Sequence, residues 1–273
     1  MPSVPPYESG RRLCLLMDAG ETRFSVEATS IMEVAAPGPD ETSLRGVLEV
    51  RDLSVLLGGE PERVPGMIVV FDVSPTLAVR VRSIVEAADV AADPHFLLPA
   101  GLGATLAAIS HSAVLHKDRL YLELIAEALP HTAGLAVPPP KHPVHLIGAM
   151  PDRSLVFESQ GRLFGIPLPL VSQVVTQGPG FSVLPGKGGA VAGVLPHGQT
   201  LWPIYSAPAL LGAPATPETF LVLAEVAGKS LGLCASRVLG VHPRFMPAEE
   251  PGEFRIPGMQ TPVLFLDLPR MFS

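Results

Sequence analysis

Charge is in short supply in this chain. Asp, Glu, Lys and Arg together make up 16% of 273 residues, the formal net charge is −7, and no run of basic residues exceeds two. That balance argues against a surface built to hold nucleic-acid phosphates. Aromatics are also scarce, at 5%, so the core must be assembled mainly from Leu, Val, Ile and Ala. There are two cysteines, Cys14 and Cys234, far apart and each within an apolar run. A disulfide framework and a cysteine-based metal site both need more than that, and two buried thiols in a reducing compartment are expected. No apolar run approaches the ~20 residues of a membrane-spanning helix. The opening "MPSVPPYESGRRLCLLMDAG" has no basic start followed by a long apolar core, so no signal peptide is expected. The expected setting is soluble and cytoplasmic.

Proline and glycine are plentiful, at 31 and 26, and apolar residues reach 47%. Such a composition excludes a disordered polyampholyte. It suits many short elements rather than a few long helices and predicts a β-rich fold. The length accommodates two domains.

The chain repeats itself. "FSVEATSIMEVA" (24–35) has the layout of "FGIPLPLVSQVV" (164–175), with Phe24 on Phe164, Val26 on Ile166, Ile31 on Val171 and Val34 on Val174. The offset is 140 positions (164 − 24). Further on, "RGVL" (45–48) resembles "AGVL" (192–195) at an offset of 147, and "LLG" recurs at 56–58 and 210–212 at an offset of 154. The first copy is therefore shorter by seven residues between these points (154 − 147). "VVFDV" (69–73) parallels "VLAEV" (222–226), "SIVEAADV" (83–90) parallels "SRVLGVHP" (236–243), and "LYLELIAEAL" (120–129) parallels "LFLDLPRMF" (264–272). Repeats of this size are domains. The boundaries expected are 11–129 and 153–273, joined by a proline-rich, semi-rigid linker over 130–152 that contains Pro138-Pro139-Pro140.

A finer unit recurs within each copy: an apolar strand, an acidic or small residue, then a short segment ending in bulky apolar side chains. It reads "VRDLSVLL", "LELIAEAL", "PIYSAPALL" and "LDLPRMF". The acidic residue suits the start of a helical turn. Two such units per copy predict two similar subdomains per domain. Pro167 and Pro169 limit the segment beginning there to one helical turn.

With these segments in order, the chain resembles the CheW-like family of bacterial chemosensory coupling proteins. "LCLLMDAGETRFSVEATSIMEV" is similar to the family's opening, with Glu33-Val34 at its Glu-Val. "AGVLPHGQTLWPIYSAPALLG" is similar to its R-G-V-x-N-L-R-G segment and the strand and D-L-x-x-L-L-G beyond. "TFLVLAEVAGKSLGLCASRVLGV" is similar to its central strand pair. The resemblance implies a mainly β fold of two tandem domains, each of two small five-stranded SH3-like β-barrels. It implies a non-catalytic adaptor that docks a CheA-type histidine kinase regulatory domain, a chemoreceptor cytoplasmic tip or other CheW-like domains, with no cofactor and no metal. Its implied contact residues are Arg45 and Gly46 in the first copy, and Gly193, His197 and Gly198 in the second; Trp202, the sole tryptophan, is a further partner-binding candidate on its residue type. His197 stands nearest the family's second arginine, and Ala192-Gly193 replaces the first Arg-Gly. An arginine's fork of donors is not reproduced by histidine, which leaves open a scaffold that has lost kinase and receptor coupling and serves another cytoplasmic complex.

The remaining candidates have plain readings. Arg45 is also a solvated turn residue, His197 a loop histidine, and Trp202 a strand-packing residue or an interface anchor. His131, His142 and His145 lack the spacing of a zinc site. "GKGG" (186–189) lacks the spacing of a phosphate loop, and Ser110, His111 and Ser112 form no nucleophile elbow.

Overall fold

The structure of the protein, a computed structural model, describes residues 11–37, 42–62, 64, 66–132, 144–185 and 189–272. Pro138-Pro139-Pro140, His142 and most of "GKGG" lie outside them. The chain makes two compact units, each mainly from one half, with Ser182–Val183 and Gly198–Thr200 of the second half grouped with the first. Strands dominate, and among the described residues no helix exceeds six residues. None is long and apolar enough to cross a membrane.

The first unit contains strands β1 (Leu13–Ala19), β2 (Thr22–Glu27), β3 (Ile31–Ala35), β4 (Ser43–Leu44) and β5 (Leu48–Asp52), helix α1 (Leu53–Leu56), strands β6 (Met67–Phe71), β7 (Leu77–Val81), β8 (Ser83–Asp89) and β9 (His95–Leu97), helix α2 (Ala104–Ile109), and strands β10 (Ser112–His116) and β11 (Arg119–Glu123). They form a sheet in the order β8-β1-β2-β11-β10-β9 and a second in the order β3-β6-β7-β5-β4.

The second half of the chain contains β12 (Ser154–Ser159), β13 (Arg162–Pro167), β14 (Val171–Thr176), β15 (Ser182–Val183), β16 (Val191–His197), β17 (Thr200–Tyr205), α3 (Ala207–Leu210), β18 (Phe220–Val226), β19 (Lys229–Ala235), β20 (Arg237–His242), β21 (Met246–Pro247), β22 (Glu253–Arg255), β23 (Val263–Phe265) and α4 (Leu268–Met271). Its sheets run β20-β12-β13-β23-β22-β21 and β14-β18-β19-β17-β16-β15. The strand order repeats that of the first unit, with β15 added. The mainly β expectation holds, as four curled half-barrels. One sheet has the expected five strands and the other three have six.

The stretch that the chain writes twice is a crossing point. β13 ends at Pro167 in one sheet, Leu168–Leu170 make a single 3₁₀ turn, and β14 starts the other sheet at Val171. Ala28–Ser30 do the same between β2 and β3. The apolar pattern fits neither one helix nor one strand because two strands facing different cores meet there. The repeat extends to irregularities: a bulge falls at Leu16/Met17 and at Val156/Phe157, and another at Ile31/Glu33 and at Val171/Gln173.

Two hand alignments slip. Ser83 pairs with Asp18 and Arg237 with Glu158, so β8 matches β20 at an offset of 154 (237 − 83), one more than the text match suggests. Leu122 pairs with Phe24 and Leu264 with Phe164, so β11 matches β23 at 142 (264 − 122), not 144.

Alternation along the strands separates two cores in the second unit. Leu155, Phe157, Phe164 and Ile166 face a core shared with Val222, Leu233 and Met271. Val156, Leu163 and Phe265 face the interior of their own half-barrel. In the first unit Leu16, Val114 and Tyr121 fill the corresponding interior. Gly165 is required by this packing, because a Cβ there would lie 2.2 Å from the Phe265 ring.

Of the four acidic or small residues ahead of helical turns, Asp52 accepts from the Val55 N–H and Asp267 from the Arg270 N–H. Ser206 makes no side-chain cap, and neither does the residue ahead of the Ala126–His131 turn. Glu123 is instead buried beside Arg12 at 2.5 Å. The carboxylates that matter most are two others. Glu62, with a side chain 2% exposed, accepts from the Gly20 N–H and the Ser54 hydroxyl and pairs with Arg82 at 3.1 Å. Glu218 accepts from the Ser159 hydroxyl at 2.5 Å and the Gln160 N–H at 2.9 Å. Each ties the loop after a short helix of one sheet to the first hairpin turn of the other.

Two outcomes follow for urea unfolding. Glu218→Ala leaves two donors without their acceptor and should cost about 1–3 kcal/mol. Gly165→Ala, which elsewhere would stabilise by reducing unfolded-state entropy, should cost about 1–3 kcal/mol through overpacking. An unchanged midpoint for Gly165→Ala would show that Phe265 yields freely.

Candidate partner-docking site

β3 and β14 are edge strands of their sheets. The bulge in β3 turns Met32 outward, 59% exposed, and Val34 is 41% exposed. Val174, its repeat partner, is 37% exposed. The repeat thus places an apolar residue twice on a solvent-facing edge, while Phe24, Phe164, Val26 and Ile166 are core. Bulges and exposed edges are where strands stop pairing within a chain and become available to others.

The turn between β4 and β5 brings Arg45 and Gly46 beside this edge. Both are left-handed, at φ 56 and 70, and Val47 N–H returns to the Leu44 carbonyl at 3.2 Å. Two successive positive φ values define the hairpin turn that suits strand twist. Glycine accepts that conformation freely, whereas an arginine there carries strain of the kind concentrated at functional sites. The Arg45 guanidinium, 72% exposed, is ion-paired with Glu33 of β3. The two family-like residues are thereby brought together across the two outer strands of one sheet, with Val47 90% exposed next to them.

The second unit lacks both partners. Gln173 holds the position of Glu33 and is exposed. His197 and Gly198 sit at the exposed tip of the longer β16–β17 hairpin. The His197 ring stands edge-on to Trp202 at 4.9 Å, and Trp202 is 5% exposed. Gly193 is buried within β16. Arg45-Gly46 and Ala192-Gly193 therefore match in text but not in place: one pair is a turn tip and the other lies inside a strand. The signal that sequence reading passed over was the paired change of Glu33 to Gln173 together with the loss of the arginine.

The other candidates acquire no site. Ser110 is buried and its hydroxyl donates to the Ser112 carbonyl. His131 ends the Ala126–His131 turn. Among the described residues no group of three metal-ligating side chains comes together. Both cysteines are free and buried. Burial pushes the Cys14 thiol up to about 11, with Arg12 opposing, and pushes Cys234 up to about 12.

Tandem units of two curled sheets, with an ion pair and exposed apolar residues on an edge strand, define a β-domain built to present surface. Residues 153–270 match the model of the CheW-like domain. The first unit repeats its strand order. Among solved structures, the crystal structure of the scaffolding protein TtCheW from Thermoanaerobacter tengcongensis is similar at 16% identity and a TM-score of 0.36, over 45% of this chain and 94% of that one. No curated protein sequence matches the chain.

Thiolate is the reactive species, so near neutral pH a disulfide reagent should modify neither cysteine in the native protein and both in urea. Rapid native modification of one would contradict its burial.

Proposed function

We propose that this protein is a non-catalytic scaffold of a chemosensory or motility signalling system, working in the cytoplasm beside a membrane-associated array. The reading rests on the match to the CheW-like domain at 153–270 and on one observation in the other half. That observation is the Arg45–Glu33 pair, on a strained turn, flanked by exposed Met32, Val34 and Val47. A charged pair ringed by apolar side chains suits a protein partner, whose surface supplies the burial that gives the charges weight. The partner proposed is a CheA-type kinase regulatory domain or a chemoreceptor cytoplasmic tip, with the first unit as the principal docking surface. Gly46 keeps the turn. His197 and Gly198 present a second, weaker surface at the tip of the β16–β17 hairpin, with Trp202 packed against the His197 ring and Gly193 buried within β16 as supporting residues. With domains over 11–129 and 153–273 joined by the 130–152 stretch, tandem docking raises the effective concentration of the second contact.

A second reading is favoured by the missing pair in the second unit. A domain without Glu33 and Arg45 equivalents suits a scaffold that has left kinase coupling and holds another cytoplasmic complex.

The test is calorimetry of the full chain with its cognate kinase regulatory domain, beside a pull-down from the native cell. Arg45→Ala should weaken binding about tenfold or more, ~1.4 kcal/mol, while changing unfolding stability by less than ~1 kcal/mol, as an exposed pair should. Binding that ignores Arg45→Ala would remove the assigned surface. Capture of a different complex without kinase or receptor would select the second reading.

A further inference from the structure

The two units close the same half-barrel by different chemistry. In the second unit the closure is apolar: Phe245 and Phe254 stand edge-on to Phe265 at 5.1 and 5.5 Å, and Ile256 joins them. In the first unit, Val114 pairs with Tyr121 as Phe254 pairs with Val263. Two residues beyond these stand His116 and Ile256. Leu16 pairs with Glu86 where Val156 pairs with Gly240. An apolar residue and a glycine in one copy are a histidine and a glutamate in the other.

His116, on β10, reaches across the opening of the curled sheet. Its ring is 12% exposed. Nδ1 lies 2.6 Å from Oδ2 of Asp93, in the turn between β8 and β9. Nε2 lies 3.5 Å from Oε1 of Glu86, on β8, and is buried with no hydrogen-bond partner among the described residues. Glu86 is held in place by Lys117 Nζ at 2.7 and 2.8 Å. The other charged groups at this hairpin are Asp118 and Arg119; into the same interior β1 presents Leu16 and the Cys14 thiol, and β11 presents Tyr121.

A neutral imidazole carries one N–H and one lone pair. With the proton on Nδ1, the Nε2 lone pair faces Glu86. With it on Nε2, the Nδ1 lone pair faces Asp93. Only the imidazolium aims an N–H at each carboxylate. We propose that protonated His116 is a clasp that binds β10 to β8 and to the β8–β9 turn, making closure of the first half-barrel respond to proton concentration. The sign is fixed by the geometry: the clasp contributes while the ring is charged and is lost as rising pH removes its proton. At the equivalent positions the second unit has Ile256 and Gly240, which carry no titratable group. The inference stands apart from the identity of any docking partner.

The experiment uses the full chain. Histidine ring shifts are followed by NMR from about pH 5 to about pH 8, and amide protection of Glu86, Ala87 and Leu115 is measured at both ends after correction for intrinsic exchange. Protection should fall roughly tenfold as the ring discharges, the scale of one charge-assisted hydrogen bond. It should not change with pH in His116→Ile, which installs the second unit's residue. Should that variant fail to fold, Asp93→Asn removes one carboxylate and should move ring discharge to lower pH. Protection that ignores pH in the wild-type chain, or that changes equally in His116→Ile, or a ring discharge unmoved by Asp93→Asn, would overturn the clasp.

Discussion

Each unit depends on a carboxylate, buried in Glu62 and half-buried in Glu218, that reaches from one sheet to the other. Glu62 stitches the α1–β6 loop to the β1–β2 turn, and Glu218 stitches the α3–β18 loop to the β12–β13 turn. A hairpin turn exposes N–H groups that its own strands do not satisfy, and a buried donor without an acceptor is costly. Supplying the acceptor from the neighbouring sheet makes each sheet's turn geometry conditional on the other's presence. The apolar core between the sheets supplies the attraction, which has no direction. The carboxylates supply the register in which that attraction is used.

How far this was legible depended on the range of the interaction. Local features were readable: strands, hairpins, the single turn at Leu168–Leu170, and the Asp52 and Asp267 caps. The 140-residue offset of the first hairpin was readable because it contains no insertion. Past the loops, text matching slipped. The two-residue slip of β11 against β23 left inward residues inward. The one-residue slip of β8 against β20 would have turned every side chain to the opposite face, since strand periodicity is two. Glu62 and Glu218 went unremarked because neither lies in a recurring motif. Glu123 was read as a cap because its partner, Arg12, is 111 positions away.

The copies have diverged in a coherent way. Where the second unit sets Phe265 against Gly165, the first sets Glu123 beside Ser25, with Arg12 and His95 completing a part-buried ionic group. Charged groups have replaced aromatic ones inside the first half-barrel, and the outer edge of its neighbour keeps an ion pair that the second unit lacks. Polar interiors convert geometry into specificity at some cost in stability. The first unit is the more electrostatic module and the second the more conventional apolar one.

The crossing at Ala28–Ser30 has a consequence for how the chain is made. One sheet of the first unit is a continuous stretch, from β3 to β7, and it interrupts the other, which begins with β1 and β2 and resumes only at β8. The inserted sheet is complete once the ribosome has synthesised Val81. The interrupted one must wait for Glu123, 42 residues later (123 − 81). For that interval the apolar faces of Leu16 and Phe24 lack their final neighbours, a few seconds of exposure at ordinary rates of about 5–20 residues per second. The second unit repeats the nesting, so the nascent protein passes through this vulnerable stage twice.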